Sequence, residues 1–264
     1  MSLHDPDRSA TNGDGTARDR SDRVGRLFGV GVGPGDPDLV TVKALRILAG
    51  CDVIAHFAAV GRESNARRIV ADRLSPDRAE LRLEYPVTTE ALPHGVSYET
   101  LLIDFYDGSA KRIAELLDDG VDVAVLCEGD PFFYGSYMYL HNRLGERYDA
   151  EVVPGVPAML AGAAAIGTPL VGLNETMVVL SGVMSEDDLA ARLATAGAAV
   201  VMKLGRNLAK VRSAVERAGM LQRAIYVERV TMESERIMPL VEADPFTAPY
   251  FSMVVVPSAN ASRR

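Results

Sequence analysis

The sequence predicts an α/β protein made of two α/β domains with a cleft between them. From Val24 onward, short apolar runs end in glycine turns, and a stretch of helical character follows each run, which is typical of alternating strands and helices. After Val152 and Pro154 the character of the chain changes, and a second series of strands and helices begins. In the first series this alternation favours parallel strands joined by crossover helices.

The chain divides into three segments. Residues 1–23 alternate Asp, Arg, Ser, Thr and Gly with almost no apolar content, and such a composition cannot repay the entropy of ordering. We therefore predict a disordered tail over 1–23, an N-terminal α/β domain over 24–148 and a C-terminal α/β domain over 149–258.

Each domain has its own predicted strands and helices. In the N-terminal domain the apolar runs predict strands at 27–32, 53–55 and 121–126, and the stretches beside them predict helices at 37–49, 63–74, 98–118 and 136–144. In the C-terminal domain the same patterns predict strands at 176–180, 199–203, 224–228 and 251–256, and helices at 157–166, 186–194 and 208–218.

Composition and charge exclude several classes of protein. The hydrophobic fraction of 48% and the charged fraction of 24% are ordinary for a globular protein. A formal net charge of -8 argues against a protein whose main task is to bind nucleic acid. No apolar run reaches the ~20 residues that cross a bilayer, and the first residues lack the apolar region of a signal peptide. We expect a cytoplasmic protein with neither a membrane nor a nucleic-acid partner.

Residues that usually carry metal or nucleophile chemistry are sparse. Cys51 and Cys127 are far apart and have no His or Cys neighbours at ligand spacing, so we expect no disulfide framework and no metal site. The four histidines are scattered along the chain. Searches for a phosphate-binding Gly-x-x-x-x-Gly-Lys-Ser/Thr loop, a Gly-x-Ser-x-Gly elbow and a His-Glu-x-x-His pair find none of them.

The first motif is a glycine-rich loop at 29–36, Gly-Val-Gly-Val-Gly-Pro-Gly-Asp, between a predicted strand and a predicted helix. The loop does not match the Gly-x-Gly-x-x-Gly motif of dinucleotide-binding proteins. Counted from Gly29, the position of the last glycine holds Pro34, and counted from Gly31 it holds Asp36. A proline and an acidic residue also weaken a phosphate site, so a cationic or neutral ligand fits better. The alternative interpretation is a tight turn with Asp36 as a helix cap.

A second motif, Leu-Cys-Glu-Gly-Asp-Pro-Phe-Phe-Tyr-Gly-Ser at 126–136, follows an apolar strand and leads into a helix. Gly129 and Asp130 therefore lie at the carboxyl end of a strand, where open parallel sheets bind ligands. Acidic side chains there suit a sulfonium, an amine or ribose hydroxyls. A third motif, Val-Pro-Gly-Val-Pro-Ala-Met at 153–159, begins a helix of small residues that permits close approach of a ligand or of another helix.

In their order and spacing, four segments resemble the successive signatures of the tetrapyrrole (corrin/porphyrin) methylase family. They are Gly-Val-Gly-Pro-Gly-Asp-Pro at 31–37, Glu-Gly-Asp-Pro-Phe-Phe-Tyr-Gly at 128–135, Val-Pro-Gly-Val-Pro-Ala at 153–158 and Gly-Thr-Pro-Leu at 167–170. The resemblance runs from about Leu27 to Pro257. It implies the class III methyltransferase fold, in which two α/β domains hold S-adenosylmethionine in the cleft between them without a metal, usually in a homodimer.

The resemblance also implies which residues contact the methyl donor. In the N-terminal domain these are Pro34, Glu128, Gly129, Asp130 and Ser136. In the C-terminal domain the matching positions are Pro157, Ala158, Leu204, Tyr250 and Phe251.

Three further segments resemble the branch of the family that methylates precorrin-2 at C-20 to give precorrin-3A in cobalamin biosynthesis. They are Tyr-Gly-Ser-Tyr-Met-Tyr-Leu at 134–140, Met-Lys-Leu-Gly-Arg at 202–206 and Tyr-Val-Glu-Arg-Val-Thr-Met at 226–232. Some relatives that methylate uroporphyrinogen carry an acidic residue where this chain has His56-Phe57-Ala58, and a lysine motif that is absent around Leu83 to Pro86, which argues against that substrate.

Several alternatives stay open from the sequence. Cobalt-factor II is the alternative substrate, and a nucleotide-binding Rossmann-like oxidoreductase or a non-catalytic S-adenosylmethionine-binding module is a more remote one. No catalytic residue is identified by analogy, although His56, Glu84 and Tyr106 are candidates for a base. A tetrapyrrole carries carboxylates, which arginine binds well. Candidate partners for them are Arg62, Arg67, Arg68, Lys111, Arg112 and Arg206.

Overall fold

A computed structural model of the chain describes residues 23–86 and 97–259. Apart from Arg23, the tail predicted over 1–23 lies outside the described residues. The described chain forms two five-stranded sheets, each covered by helices. Within the described residues, no helix is both long enough and apolar enough to cross a membrane.

The first sheet is entirely parallel, as the predicted strand and helix alternation requires. Its strand order is β3-β2-β4-β1-β5, so β3 and β5 are its edges. The strands are β1 Leu27–Gly31, β2 Val53–Ala59, β3 Ala79–Tyr85, β4 Val123–Cys127 and β5 Ala150–Val153.

The second sheet is mixed, in the order β6-β7-β10-β8-β9. Strands β6 and β7 are parallel, whereas β10 runs antiparallel to both β7 and β8, and β9 runs antiparallel to β8. Consequently β7 and β8 end, and β10 begins, at the same edge of the sheet. The strands are β6 Met177–Ser181, β7 Ala198–Met202, β8 Ile225–Glu228, β9 Arg236–Pro239 and β10 Ser252–Val256.

Seven α-helices and five short 3-10 segments connect these strands in the described residues. The α-helices are α1 Val42–Gly50, α2 Asn65–Ile69, α3 Tyr98–Asp118, α4 Tyr137–Leu144, α5 Ala158–Ala165, α6 Glu186–Ala194 and α7 Leu208–Arg217. The 3-10 segments are Pro37–Leu39, Ala71–Arg73, Gly205–Asn207, Leu221–Arg223 and Leu240–Glu242.

The hydrophobic core lies on both faces of each sheet. On the first sheet, residues of α3 and α4 such as Ile113 and Leu140 pack on one face, and residues of α1 and α2 such as Leu48 pack on the other. On the second sheet, α6 and α7 cover one face, while α5 lies on the other with Ala161 among its buried residues. Each sheet therefore has a hydrophobic core of its own. Every fully buried Leu or Ile in these cores contributes about 1.5–3 kcal/mol to the free energy of folding.

The structure corrects several predicted boundaries. The helix predicted at 37–49 is a 3-10 turn followed by α1, because Thr41 is extended and its hydroxyl caps the amide of Ala44 at 3.1 Å. The helix predicted at 63–74 is likewise divided at Val70. Strands β3, β5 and β9 were not predicted. Because β5 pairs with β1, the first sheet extends to Val153, beyond the predicted boundary between 148 and 149.

Candidate functional site

A cleft lies between the two sheets, and its empty space of about 1010 Å³ includes the solvent at its open mouth. It meets the first sheet where β1 and β4 end, and the second sheet where β7 and β8 end and β10 begins. Carboxyl ends of strands are the usual ligand-binding edge of parallel sheets. The cleft is lined by Pro34, Phe57, Cys127, Glu128, Gly129, Asp130, Phe133, Tyr134, Gly135, Ser136, Pro157, Ala158, Met202, Lys203, Val227, Arg229, Val230, Met232, Tyr250, Phe251, Ser252 and Met253.

Three loops meet at the floor of the cleft through glycines. Gly33 and Gly129 form an isolated antiparallel bridge, in which the Gly129 amide donates to the Gly33 carbonyl at 2.8 Å. The third loop approaches so closely that a Cβ on Gly155 would lie 2.0 Å from the Gly129 carbonyl oxygen. Close contact therefore excludes side chains at Gly31 and Gly155, whereas Gly33 and Gly129 have positive φ angles of 77° and 65°, which favour glycine.

The Asp130 carboxylate ties two of these loops together. Its Oδ2 accepts a hydrogen bond from the Gly155 amide at 3.1 Å, and its Oδ1 accepts one from the Phe132 amide at 2.9 Å. Asp130 thus shapes the cleft as well as lining it. This structural role follows from a contact between loops distant in sequence, which the local motif does not reveal.

Glu128 is the second carboxylate on this side of the cleft. Its Oε1 accepts a hydrogen bond from the amide of Ala66, near the start of α2, at 3.1 Å. Burial raises the pKa of the Glu128 carboxyl above its ordinary value, and hydrogen bonds from backbone amides oppose that shift. A cationic ligand in the cleft would favour the ionised form of this side chain.

The opposite wall carries the basic residues of the cleft. Among the described lining residues these are Lys203, which follows β7, and Arg229, which follows β8. The Lys203 ammonium lies 5.4 Å from the centroid of the Tyr134 ring, a cation–π contact. The cleft therefore has an acidic wall from the first sheet and a basic wall from the second.

Three non-glycine residues of the cleft adopt left-handed backbone conformations. The φ angles are 56° at Tyr134, 58° at Lys203 and 49° at Arg229. Each such residue costs on the order of 1–3 kcal/mol, and strain of this kind clusters at functional sites. The turns after β7 and β8 are thus shaped to present side chains to the cleft rather than to minimise backbone energy.

The two walls contact each other at the first glycine-rich loop. The amide of Asp36 donates to the Thr231 hydroxyl at 3.0 Å, and Gly35 packs so closely that a Cβ there would lie 2.6 Å from Cγ of Met232. The Asp36 side chain accepts from the Asp38 amide at 2.8 Å and caps the following 3-10 turn. The capping interpretation of Asp36 is therefore confirmed.

An aromatic cluster supports the cleft behind Ser136. The Ser136 hydroxyl is hydrogen-bonded to Tyr85, whose hydroxyl lies 3.4 Å from that of Tyr106. Burial raises the pKa of both tyrosines, so these hydroxyls stay protonated near neutral pH. Phe57 stacks on Tyr85 with ring centroids 5.6 Å apart and also lines the cleft.

Of the ten residues predicted to contact a methyl donor, nine line this cleft, and Leu204 does not. The Leu204 side chain is fully buried in the core of the second sheet, and the preceding residues Met202 and Lys203 line the cleft in its place. The backbone of Lys203 is in the left-handed conformation, so the chain turns there and directs the Leu204 side chain back into the core.

The candidate bases and the six candidate cations lie away from the lining. His56 is buried with its Nε2 3.1 Å from Glu80, Glu84 pairs with Arg82 at 2.7 Å, and Tyr106 belongs to the aromatic cluster. Of the predicted cations, Arg62, Arg67, Arg68, Lys111, Arg112 and Arg206, none is in the lining. Sequence reasoning missed Lys203, the last residue of the strand predicted at 199–203, and Arg229, which directly follows the strand predicted at 224–228. In the described part of the chain, no group of three or more His, Cys, Asp or Glu side chains could hold a metal ion.

Comparison with known proteins identifies the family. Residues 26–244 match the Tetrapyrrole (Corrin/Porphyrin) Methylases. The chain belongs to this family. A precorrin-2 C(20)-methyltransferase from Sinorhizobium sp is 51% identical over 234 residues, which cover 89% of this chain and 96% of the relative.

Other members of the family are more distant or longer. The cobalamin biosynthesis protein CobIJ of Mycobacterium tuberculosis is 48% identical over 89% of this chain, but the match spans only 46% of that relative. A cobalt-precorrin-2 C(20)-methyltransferase from Salmonella typhimurium is 29% identical over 88% of this chain and 96% of the relative.

Solved structures show the same fold. A uroporphyrin-III C-methyltransferase from Thermus thermophilus, complexed with S-adenyl homocysteine, superposes with a TM-score of 0.63 at 24% identity and covers 88% of this chain and 92% of its own. The predicted class III methyltransferase fold of two α/β units is thereby confirmed.

Proposed function

We propose that this methylase transfers a methyl group from S-adenosylmethionine to C-20 of precorrin-2, giving precorrin-3A in cobalamin biosynthesis. The observation that carries the proposal is the division of charge in the cleft. Glu128 and Asp130 suit a cationic sulfonium and ribose hydroxyls on one wall, while Lys203 and Arg229 suit a polycarboxylate on the other.

The proposed donor site consists of the nine residues that the family resemblance predicts and that line the cleft. Pro34, Gly129 and Pro157 bring backbone close to the ligand, and Glu128 offers a carboxylate near the sulfonium. Ala158 leaves room beside them at the start of α5. Apolar walls such as Phe57 and Met253 exclude water, which favours dispersal of the sulfonium charge as the methyl group moves.

The protein's contribution to the reaction is positioning. The donor supplies an activated methyl group: the bond from carbon to C-20 forms as the bond from carbon to sulfur breaks, leaving S-adenosylhomocysteine, and C-20 then releases its proton. Residues of both walls hold the two reactants in line, and such alignment supplies roughly 7–11 kcal/mol of the barrier. The close contact between Asp36 and Thr231 keeps the walls at a defined separation.

The choice of precorrin-2 over cobalt-factor II rests on the relatives. Identity is 51% to the Sinorhizobium enzyme named for precorrin-2 and 29% to the Salmonella enzyme named for cobalt-precorrin-2. The test is the anaerobic rate of methyl transfer to each tetrapyrrole under identical donor concentration. We expect kcat/KM to be at least roughly tenfold higher for precorrin-2. A higher kcat/KM for cobalt-factor II would assign the alternative substrate, and transfer to neither would refute the activity.

The oligomeric state and the cellular location of the protein are separate proposals, and two other functions can be tested beside them. We propose a homodimer in the cytoplasm, which sedimentation and cell fractionation test. Binding of NADH in place of S-adenosylmethionine would support the oxidoreductase interpretation. Binding of the donor without transfer would support a non-catalytic binding module.

A further inference from the structure

Arg229 is held at the edge of the cleft by a buried carboxylate. Its Nη1 donates to Oε1 of the preceding Glu228 at 2.8 Å, and the Glu228 side chain is only 4% exposed, whereas that of Arg229 is 39% exposed. The carboxylate end of this pair is therefore inside the domain, while the guanidinium lies in the lining of the cleft.

Glu228 is fixed by further partners within the second sheet. Its Oε2 accepts a hydrogen bond from the Tyr226 hydroxyl at 2.6 Å, and Nη1 of Arg236 lies 3.6 Å from its Oε1. One buried carboxylate thus faces two guanidinium groups, so the cluster of Tyr226, Glu228, Arg229 and Arg236 carries one unbalanced positive charge. A buried carboxylate with hydrogen bonds to both oxygens is a rigid support for such a charge.

The backbone of Arg229 also departs from the strand. Its φ angle is 49°, and its amide donates to the carbonyl of Phe251, the residue before the neighbouring strand β10, at 2.8 Å. A left-handed arginine is costly, and the bond to Phe251 holds it in place. β8 ends at Glu228, so Arg229 lies in the turn that leads from this strand to the lining of the cleft.

We propose that Arg229, oriented by Glu228, is the specific binding site for a carboxylate of a ligand in the cleft, an inference that rests on the proposed function. A guanidinium has five N–H donors in a planar fork, and Glu228 engages one of its nitrogens, which leaves donors for a bidentate carboxylate. The same chemistry is offered by an acetate or propionate group of the tetrapyrrole and by the methionine carboxylate of the donor.

The test measures binding without methyl transfer, in the variants R229Q and R229K. Precorrin-2 is titrated anaerobically in the presence of S-adenosylhomocysteine, and free ligand is separated by ultrafiltration. S-adenosylmethionine and its decarboxylated analogue are titrated separately by calorimetry. We expect R229Q to raise the Kd of the ligand that supplies the carboxylate roughly 10- to 100-fold. R229K should lie between R229Q and the unaltered protein, because it retains the charge but loses the fork.

The precorrin-2 titration and the S-adenosylmethionine titration together identify which ligand supplies the carboxylate. Weaker binding of precorrin-2 alone assigns the tetrapyrrole. Weaker binding of S-adenosylmethionine, with the decarboxylated analogue unaffected, assigns the donor. The matched control is R192Q, since Arg192 is an exposed arginine of α6 that lies outside both the lining and the Glu228 cluster.

The proposal is overturned if R229Q and R229K leave every Kd unchanged, or if R192Q weakens binding as much as R229Q does. If R229Q does not fold, R229K alone decides between these outcomes. These binding measurements do not depend on turnover, so a protein that binds precorrin-2 through Arg229 without methylating it would refute the proposed activity and leave the carboxylate site standing.

Discussion

The carboxylate of Asp130 and the backbone amide of Gly155 form a hydrogen bond of 3.1 Å that joins the turn after β4 to the segment entering α5. Through this bond, one side chain of the first domain defines the geometry of the loop that leads into the second. The acidic wall of the cleft is thus part of the connection between the two sheets.

We predict that D130A destabilises the protein by about 1–2 kcal/mol and weakens the binding of S-adenosylmethionine at least roughly tenfold, because two amides lose their charged acceptor. D38A is the matched control, since it removes the same charge from a side chain that is 86% exposed. Thermal unfolding and calorimetry measure the two effects. Equal behaviour of D130A and D38A would contradict the structural role of Asp130.

The binding of the donor should depend on the ionisation of Glu128. Because burial raises the pKa of this carboxyl, part of the population is neutral at mildly acidic pH, whereas a sulfonium favours the ionised form. The affinity for S-adenosylmethionine should therefore rise as pH rises through that pKa and then level off.

Calorimetry over roughly pH 5 to 8 tests this dependence, with S-adenosylhomocysteine as the ligand that lacks the sulfonium charge. In the unaltered protein only the charged ligand should gain affinity with pH, and in E128Q neither should. Parallel pH profiles for the two ligands in the unaltered protein would show that Glu128 does not sense the sulfonium.

Two glycine substitutions should have opposite effects on stability. In G155A the new Cβ would lie 2.0 Å from the Gly129 carbonyl oxygen, so we expect a loss of about 1–3 kcal/mol together with loss of donor binding. In G108A the new methyl group meets no atom within 4 Å inside α3, and the better helix former should stabilise the protein by about 0.5–1 kcal/mol. Chemical denaturation measures both, and a neutral G155A would contradict the crossing of the loops.

Leu204 should behave as a core residue. We predict that L204A lowers the free energy of unfolding by about 2–5 kcal/mol, and that L204M, which conserves volume, costs less than about 1.5 kcal/mol and keeps donor affinity. Denaturation and calorimetry separate the two properties. A well-folded L204M with greatly weakened donor binding would instead place the Leu204 side chain in the site.

How well each helix or strand could be predicted from the sequence depends on its place in the fold. Helices α3 and α6 are predicted to the residue, because their polar and apolar residues alternate with a clear helical period between recognisable ends. The strands that were missed, β3, β5 and β9, all lie at sheet edges. Edge strands contact one neighbour and carry more polar residues, as the sequence of Ala79–Tyr85 illustrates, so an apolar run does not mark them.

The sequence predicted those parts of the site that are loops at the ends of strands. It did not predict which of several neighbouring side chains point into the cleft. The glycine loops around Pro34 and Gly129 and the segment at Pro157 were found from local motifs and line one cleft. The basic wall was not found, since Lys203 and Arg229 reach the cleft through left-handed turns, and no local pattern distinguishes them from Arg206. Long-range contacts such as that of Asp130 with Gly155 are equally invisible in a local motif.

We propose that the cleft directs the donor's methyl group to C-20 of precorrin-2. The most direct test is anaerobic incubation of the protein with precorrin-2 and S-adenosylmethionine labelled with carbon-13 in its methyl group, followed by NMR of the tetrapyrrole. We expect one labelled methyl group, bonded to C-20. A label on any other carbon, or no label in the tetrapyrrole although the donor binds, would contradict it.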